Sequence, residues 1–168
     1  AVEYLEVEEI QAMLEATDRR TPDGRRDHAL LLLLFNTGAR VQELLDIRPQ
    51  DLQLKRPCLV RLLGKGRKER LCPLWPQTAE ILGALLDQTG LDPASSHRLF
   101  RNRRGEPLSR FGVAYLLRKY AKLAQTVVPS LSRKRVHPHA LRHSTAVHLL
   151  NAGVDLVSIS RLLRGICG

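Results

Sequence analysis

The chain has 168 residues, 43% of them hydrophobic and only 4% aromatic, which suits one domain with a core of Leu, Ile, Val and Ala that folds without disulfides or metal. Its 27 Lys and Arg against 17 Asp and Glu leave a formal net charge of +10, an excess that points to a polyanionic partner, most simply nucleic acid. Cys58, Cys72 and Cys167 form no CxxC, which argues against a disulfide framework and a cysteine zinc cluster and suits a reducing cytoplasm. The apolar run Leu30 to Phe35 is far shorter than the roughly 20 residues that span a bilayer. No secretory signal is visible. The expectation is a cytoplasmic protein without a membrane partner.

Val7, Ile10 and Leu14 recur at helical spacing, so Glu6 to Ala16 reads as a short amphipathic helix. Thr17 to Gly24, with Pro22 and Gly24, reads as a turn. A helix from about Arg26 to Asn36 ends at Gly38, and a shorter one runs from Val41 to Asp46 before Pro49. The apolar run Cys58 to Leu62, the basic turn Gly64 to Lys68 and the segment Glu69 to Leu74 predict a β-hairpin, with Leu99 and Phe100 as a third strand. Pro76 to Leu86 is the next helix. Ser109 to Ala124 follows, and Phe111, Tyr115, Leu116, Tyr120 and Leu123 are its expected buried stripe. Thr126 to Lys134 reads as a connector, Pro138 to Ala152 as a helix closed by Gly153, and Asp155 to Leu163 as the last helix. The fold class is mainly helical, α+β, with a small antiparallel β-sheet.

Three stretches ask for more than packing. Arg40 stands at a sharp helix-to-helix turn after Gly38, where its planar fork can face a phosphate and Glu43 can orient it; the bland alternative is a surface arginine at a helix start. Gly64-Lys65-Gly66-Arg67-Lys68-Glu69-Arg70 carries four cations on a glycine turn and lacks the order of a Walker loop. Such a turn is a solvated surface or a finger that contacts DNA backbone, and Lys65 can reach out to donate a proton. In His137-Pro138-His139-Ala140-Leu141-Arg142-His143-Ser144, His139 and Arg142 share a helical face near a helix start. Imidazole beside guanidinium suits phosphoryl transfer, the arginine meeting charge on nonbridging oxygens and the histidine relaying a proton. The competing view is a metal site from His137, His139, His143 and His148, but no acidic or cysteine ligand clearly completes it and HExxH is absent. A serine hydrolase has no GxSxG elbow to stand on.

With these blocks in this order the chain resembles the catalytic domain of the tyrosine recombinases, the phage integrase family. The resemblance is carried by Thr37-Gly38-Ala39-Arg40 with Glu43-Leu44, by Gly64-Lys65-Gly66 with Lys68-Glu69-Arg70 and Pro73-Leu74, and by His139-Ala140-Leu141-Arg142-His143-Ser144 with His148-Leu149-Leu150. It implies that Arg40 and Arg142 clamp the scissile phosphate, Lys65 protonates the leaving 5′ oxygen, His139 assists proton transfer and Glu43 supports Arg40. Arg67, Lys68, Arg70 and His143 are the further expected DNA contacts. The family's reaction cleaves and rejoins double-stranded DNA through a 3′-phosphotyrosyl link, without metal or other cofactor, with subunits associating on the DNA.

The sequence departs from the family at its end. Leu163-Arg164-Gly165 stands where Leu-Gly-His is usual, and the only tyrosines are Tyr4, Tyr115 and Tyr120, the last two expected in the core. The expectation for residues 1–168 is therefore a catalytic domain incomplete at its C-terminus and limited to DNA binding, with site-specific recombination or integration belonging to the intact protein. The alternatives are a non-catalytic DNA-binding module, or decayed recombinase, and a metal-dependent nuclease that uses the histidines.

Overall fold

A computed structural model describes residues 4–138. Its centre is a helix buried on every side. Residues Leu30 to Phe35 are all buried, as expected for a helix whose apolar residues are continuous rather than striped. This helix, α2 (Pro22–Thr37), begins earlier than the turn residues predict. Thr21 caps it by accepting a 3.0 Å hydrogen bond from the Gly24 amide, and Pro22 occupies the first turn, where a missing N–H costs nothing. Gly24 is required because a Cβ there would stand 1.7 Å from the Asp18 carbonyl oxygen. The helix ends at Gly38, whose φ of 63° is the left-handed conformation of a C-cap.

Around α2 stand α1 (Val7–Glu15), the short α3 (Val41–Leu45), α4 (Pro76–Thr89) and α5 (Arg110–Ala124). Ser109 caps α5 by accepting from the Gly112 amide at 3.0 Å. The sheet is antiparallel in the order β1 (Leu52–Gln53), β2 (Leu59–Leu63), β3 (Glu69–Pro73). Its hairpin agrees with the sequence reading, but the third strand does not. Leu99 and Phe100 are buried in the core, and the adjoining Arg101 makes only an isolated bridge to Pro107. The place beside β2 is taken by Leu52 and Gln53, which pair with Val60 and Leu59.

Alternation along the hairpin sets which side chains face inward. Val60 and Leu62 of β2 are buried, and opposite them so are Cys72 and Arg70 of β3. Leu71, between the last two, is 52% exposed.

The helix α5 corrects a second expectation. Its buried face is Val113, Leu116, Leu117, Tyr120 and Ala124, while Phe111 is 88%, Tyr115 59% and Leu123 50% exposed. Tyr120 is in the core, as expected, but Tyr115 is not.

Buried polar groups fasten the helices. The Tyr120 hydroxyl donates to Asp27 Oδ2 at 2.5 Å, and Arg26 donates to Oδ1 at 2.9 and 2.7 Å. Burial, and then the neighbouring Asp27 carboxylate, push the Tyr120 phenol well above its ordinary pKa. At the other end, buried Glu9 accepts from the Glu6 amide at 2.7 Å, Ser130 Oγ at 2.7 Å and Lys134 Nζ at 2.5 Å. Burial alone would raise its pKa, yet these donors hold it below the usual carboxylate range. They tie α1 to the connector, which forms a 3₁₀ turn over Pro129–Arg133.

Candidate functional site

The corner Thr37 to Arg40 is built by its own hydrogen bonds. Thr37 Oγ1 donates to the Leu33 carbonyl at 2.8 Å and accepts from the Ala39 amide at 3.1 Å. Gly38 supplies the left-handed residue between them. Arg40 is then left at the N-cap of α3 with extended backbone angles and an exposed side chain. Its amide donates to Glu43 Oε1 at 2.9 Å. A glutamate at the third helical position reaching back to the cap is a standard way to satisfy an orphan N–H.

The hairpin turn comes to the same carboxylate. Lys65 to Arg67 form one 3₁₀ turn, with Gly66 at φ 74° and Arg67 at φ 60°. The Gly64 amide donates to the Lys68 carbonyl at 2.9 Å and closes the loop. Beneath it, Arg70 Nη2 donates to Glu43 Oε1 at 2.5 Å, and both side chains are almost fully buried, 2% and 4% exposed. A Cβ placed on Gly64 would stand 3.5 Å from Glu43 Oε2. Glu43 therefore lies between the Arg40 corner and the base of the turn.

Carboxylates hold some of the cations and leave others, among them exposed Arg56, Arg104, Arg118 and Lys122, without an ion pair among the described residues. Arg20, Arg26, Arg61, Arg70, Arg98 and Arg103 are each within ion-pair distance of an Asp or Glu. Among the described residues no such pair engages Arg40, Lys65, Arg67 or Lys68, and all four side chains are exposed. Arg61, on the outward face of β2, is instead held by Asp51 Oδ1 at 2.6 and 3.0 Å.

Of the residues singled out in the sequence, the structure thus brings Arg40, Glu43 and the Lys65 turn to one corner. Arg70 is corrected: it points inward to Glu43 rather than outward to a ligand, because strand alternation puts it on the core face opposite Leu62. His139, Arg142 and His143 lie outside the described residues, as do His148 and the helices expected over Pro138 to Leu163. Among the described residues no group of three or more His, Cys, Asp or Glu is placed to hold a metal. No helix among them is long and apolar enough to cross a membrane. The sequence reading missed the Asp27–Tyr120 and Glu9–Lys134 partnerships; a lone Asp beside an apolar run and a lone Glu on an amphipathic face were the available signals.

The architecture, a helical domain with one short antiparallel sheet whose hairpin meets the start of a helix, is that of the site-specific recombinases. It superposes on the crystal structure of XerA recombinase with a TM-score of 0.80 at 27% identity, over 96% of this chain and 56% of that one. It matches XerH site-specific recombinase bound to a palindromic difH substrate with a TM-score of 0.81 at 25% identity, over 98% of this chain and 46% of that one. Residues 3–164 match the model of the phage integrase family, and the chain belongs to that family. Its relatives include y4rC of Sinorhizobium fredii, provisionally named an integrase/recombinase, at 42% identity over 95% of this chain and 47% of that protein. Another is the tyrosine recombinase XerD of Staphylococcus epidermidis, at 35% identity over 96% of this chain and 53% of that protein. The chain spans about half the length of the curated relatives it matches.

Proposed function

We propose that these residues form the phosphate-gripping part of a tyrosine recombinase that acts on double-stranded DNA. The observation that carries the reading is the corner itself: Arg40 and the Lys65–Lys68 turn present exposed cations, without carboxylate partners among the described residues, on two segments that meet at Glu43. Unpaired guanidinium and ammonium groups on two converging segments suit a phosphodiester, and the guanidinium fork can take two of its oxygens. Arg67 and Lys68 add backbone contacts from the turn, which fix register without reading sequence.

In the intact protein the reaction is site-specific strand breakage and rejoining. A tyrosine oxygen bonds to phosphorus as its proton leaves with the help of His139, the bond to the 5′ oxygen breaks, and Lys65 gives that oxygen a proton. Arg40 and Arg142 hold the nonbridging oxygens as charge builds on them, and His139 assists the proton transfer. A 3′-phosphotyrosyl link keeps the bond energy for rejoining by a second hydroxyl, so no metal or other cofactor takes part. The tyrosine is not Tyr120, whose hydroxyl is spent on Asp27 in the core. Subunits of the intact protein associate on the DNA, and the setting is the cytoplasm.

The test is binding of this chain to short duplex DNA across a salt series, beside Arg40→Ala and Arg142→Ala. Affinity falls as salt rises, and each substitution flattens the slope of log affinity against log salt by about 1, the loss of one phosphate contact. Equal affinity and slope for all three proteins would sink the assignment of these two arginines.

A further inference from the structure

We propose that Arg70 is a positioning residue. Acting through Glu43, it sets the hairpin turn that carries Lys65 in register with the helix start that carries Arg40. The inference rests on the DNA-phosphate reading and adds to it how two separate segments are held at one place.

Arg70 is turned to the core. It stands on the core face of β3, paired across the hairpin with Leu62 and one alternation away from Cys72. Its guanidinium is 2% exposed, and it is a cation. It therefore needs a fixed acceptor, and a buried cation left without one is strongly unfavourable. Glu43 Oε1 accepts from it at 2.5 Å, and the same oxygen takes the Arg40 amide at 2.9 Å. One oxygen atom is thus bonded to both segments.

Each end of this link is rigid. Glu43 belongs to α3, so helix geometry fixes its carboxylate relative to Arg40. Arg70 belongs to β3, whose pairing with β2 fixes it relative to the turn, closed by the Gly64 to Lys68 hydrogen bond. The second carboxylate oxygen lies beneath Gly64, directly before Lys65. Removing Arg70 leaves both segments in place in the chain but unties one from the other.

A double-mutant cycle tests this. The dissociation constant for short duplex DNA is measured for the unsubstituted chain, Arg40→Ala, Lys65→Ala and the pair, and again with Arg70→Met added to each. Two cations held on one phosphate lose affinity non-additively, with a coupling of about threefold or more. With Arg70→Met the coupling disappears and the two losses multiply. A general loss of stability would weaken all four proteins alike and leave the coupling intact, so it does not imitate the effect. Undiminished coupling in folded Arg70→Met protein overturns the proposal, as does absence of coupling in the first set when each single substitution weakens binding. If neither single substitution weakens binding, the phosphate reading itself has failed, a different and recognisable result. Should Arg70→Met not fold, the pair Arg70→Met with Glu43→Gln, which leaves no buried unpaired charge, carries the same cycle and the same expected loss of coupling.

Discussion

Asp27 and Glu43 are both buried carboxylates that hold an arginine, yet they are completed differently. Asp27 uses both oxygens inside the core: Oδ1 takes Arg26 and Oδ2 takes the Tyr120 hydroxyl, joining α2 to α5. Glu43 uses Oε1 twice, for the Arg40 amide and for Arg70, while Oε2 has no hydrogen-bond partner among the described residues and faces the base of the hairpin turn. The first carboxylate closes a core; the second joins two segments of a site. Breaking the first should therefore cost stability and leave DNA affinity alone, and disturbing the second should cost affinity out of proportion to stability.

The largest effect expected is that of Asp27→Ala. It leaves the buried Tyr120 phenol facing a gap and takes one of three acceptors from Arg26, which keeps Asp23 and the Arg101 carbonyl, so the cost is at the lower end of the roughly 3–5 kcal/mol for breaking a buried ion pair. Urea unfolding measures the loss, and the folded fraction should bind DNA as before. A folded Asp27→Ala protein with weakened DNA binding would break the contrast between the two carboxylates.

Tyr120→Phe is milder, because it removes one hydrogen bond to a charged group, about 1.5–3 kcal/mol. It also has a pH signature. The folded phenol holds its proton more tightly than the unfolded one, so above the unfolded pKa of about 10 the unfolded chain sheds a proton that the folded chain keeps. Stability of the unsubstituted chain should then fall as pH rises past about 10, and Tyr120→Phe should remove that portion of the fall. Equal alkaline profiles for the two proteins would show that the hydroxyl does not hold the two helices together.

His28 gives a smaller effect in the opposite direction. Burial is the main cause that lowers its pKa, offset in part by its hydrogen bond to the Leu14 carbonyl and assisted by the charge of Arg19. The unfolded chain therefore takes up a proton near pH 6.5 while the folded chain still resists, and stability falls as pH drops below that value. His28→Gln should flatten that part of the acid limb without changing DNA affinity at neutral pH. Retention of the full slope would place its origin elsewhere.

How much of this was legible follows from the kind of signal each element sends. Helix boundaries at Gly38 and the hairpin around Gly64–Lys68 were written in residues with strong local preferences, and the structure keeps them. Pro22 and Gly24 read equally well as a turn or as a first helical turn; the choice depended on Thr21 as a cap and on the approach of Asp18, which are contacts rather than composition. The third strand was misplaced because Leu52–Gln53 is two residues long and has no periodicity to detect. At the site, Arg40, Glu43 and the Lys65 turn were readable as a motif, but the direction of Arg70 was not read. Its charge suggested a surface, whereas the alternation with Cys72 decides that it faces the core, and only the three-dimensional arrival of Glu43 makes that tolerable.

The smallest effect sharpens the same point on α5. Phe111 and Tyr115 invite assignment to a buried stripe, but that stripe continues into Arg118, Lys119 and Lys122, all exposed. The competing stripe of Val113, Leu116, Leu117, Tyr120 and Ala124 contains no charge, and it is the one the core takes. An unbroken apolar face outcompetes a more aromatic one that ends in cations, since turning the latter inward would bury charge. Phe111→Ser should consequently change unfolding free energy by no more than about 0.5 kcal/mol, whereas Leu117→Ala should cost about 2–5 kcal/mol. Urea unfolding of the two variants side by side settles which face is packed; a loss for Phe111→Ser that matches that for Leu117→Ala would mean the aromatic face is covered after all.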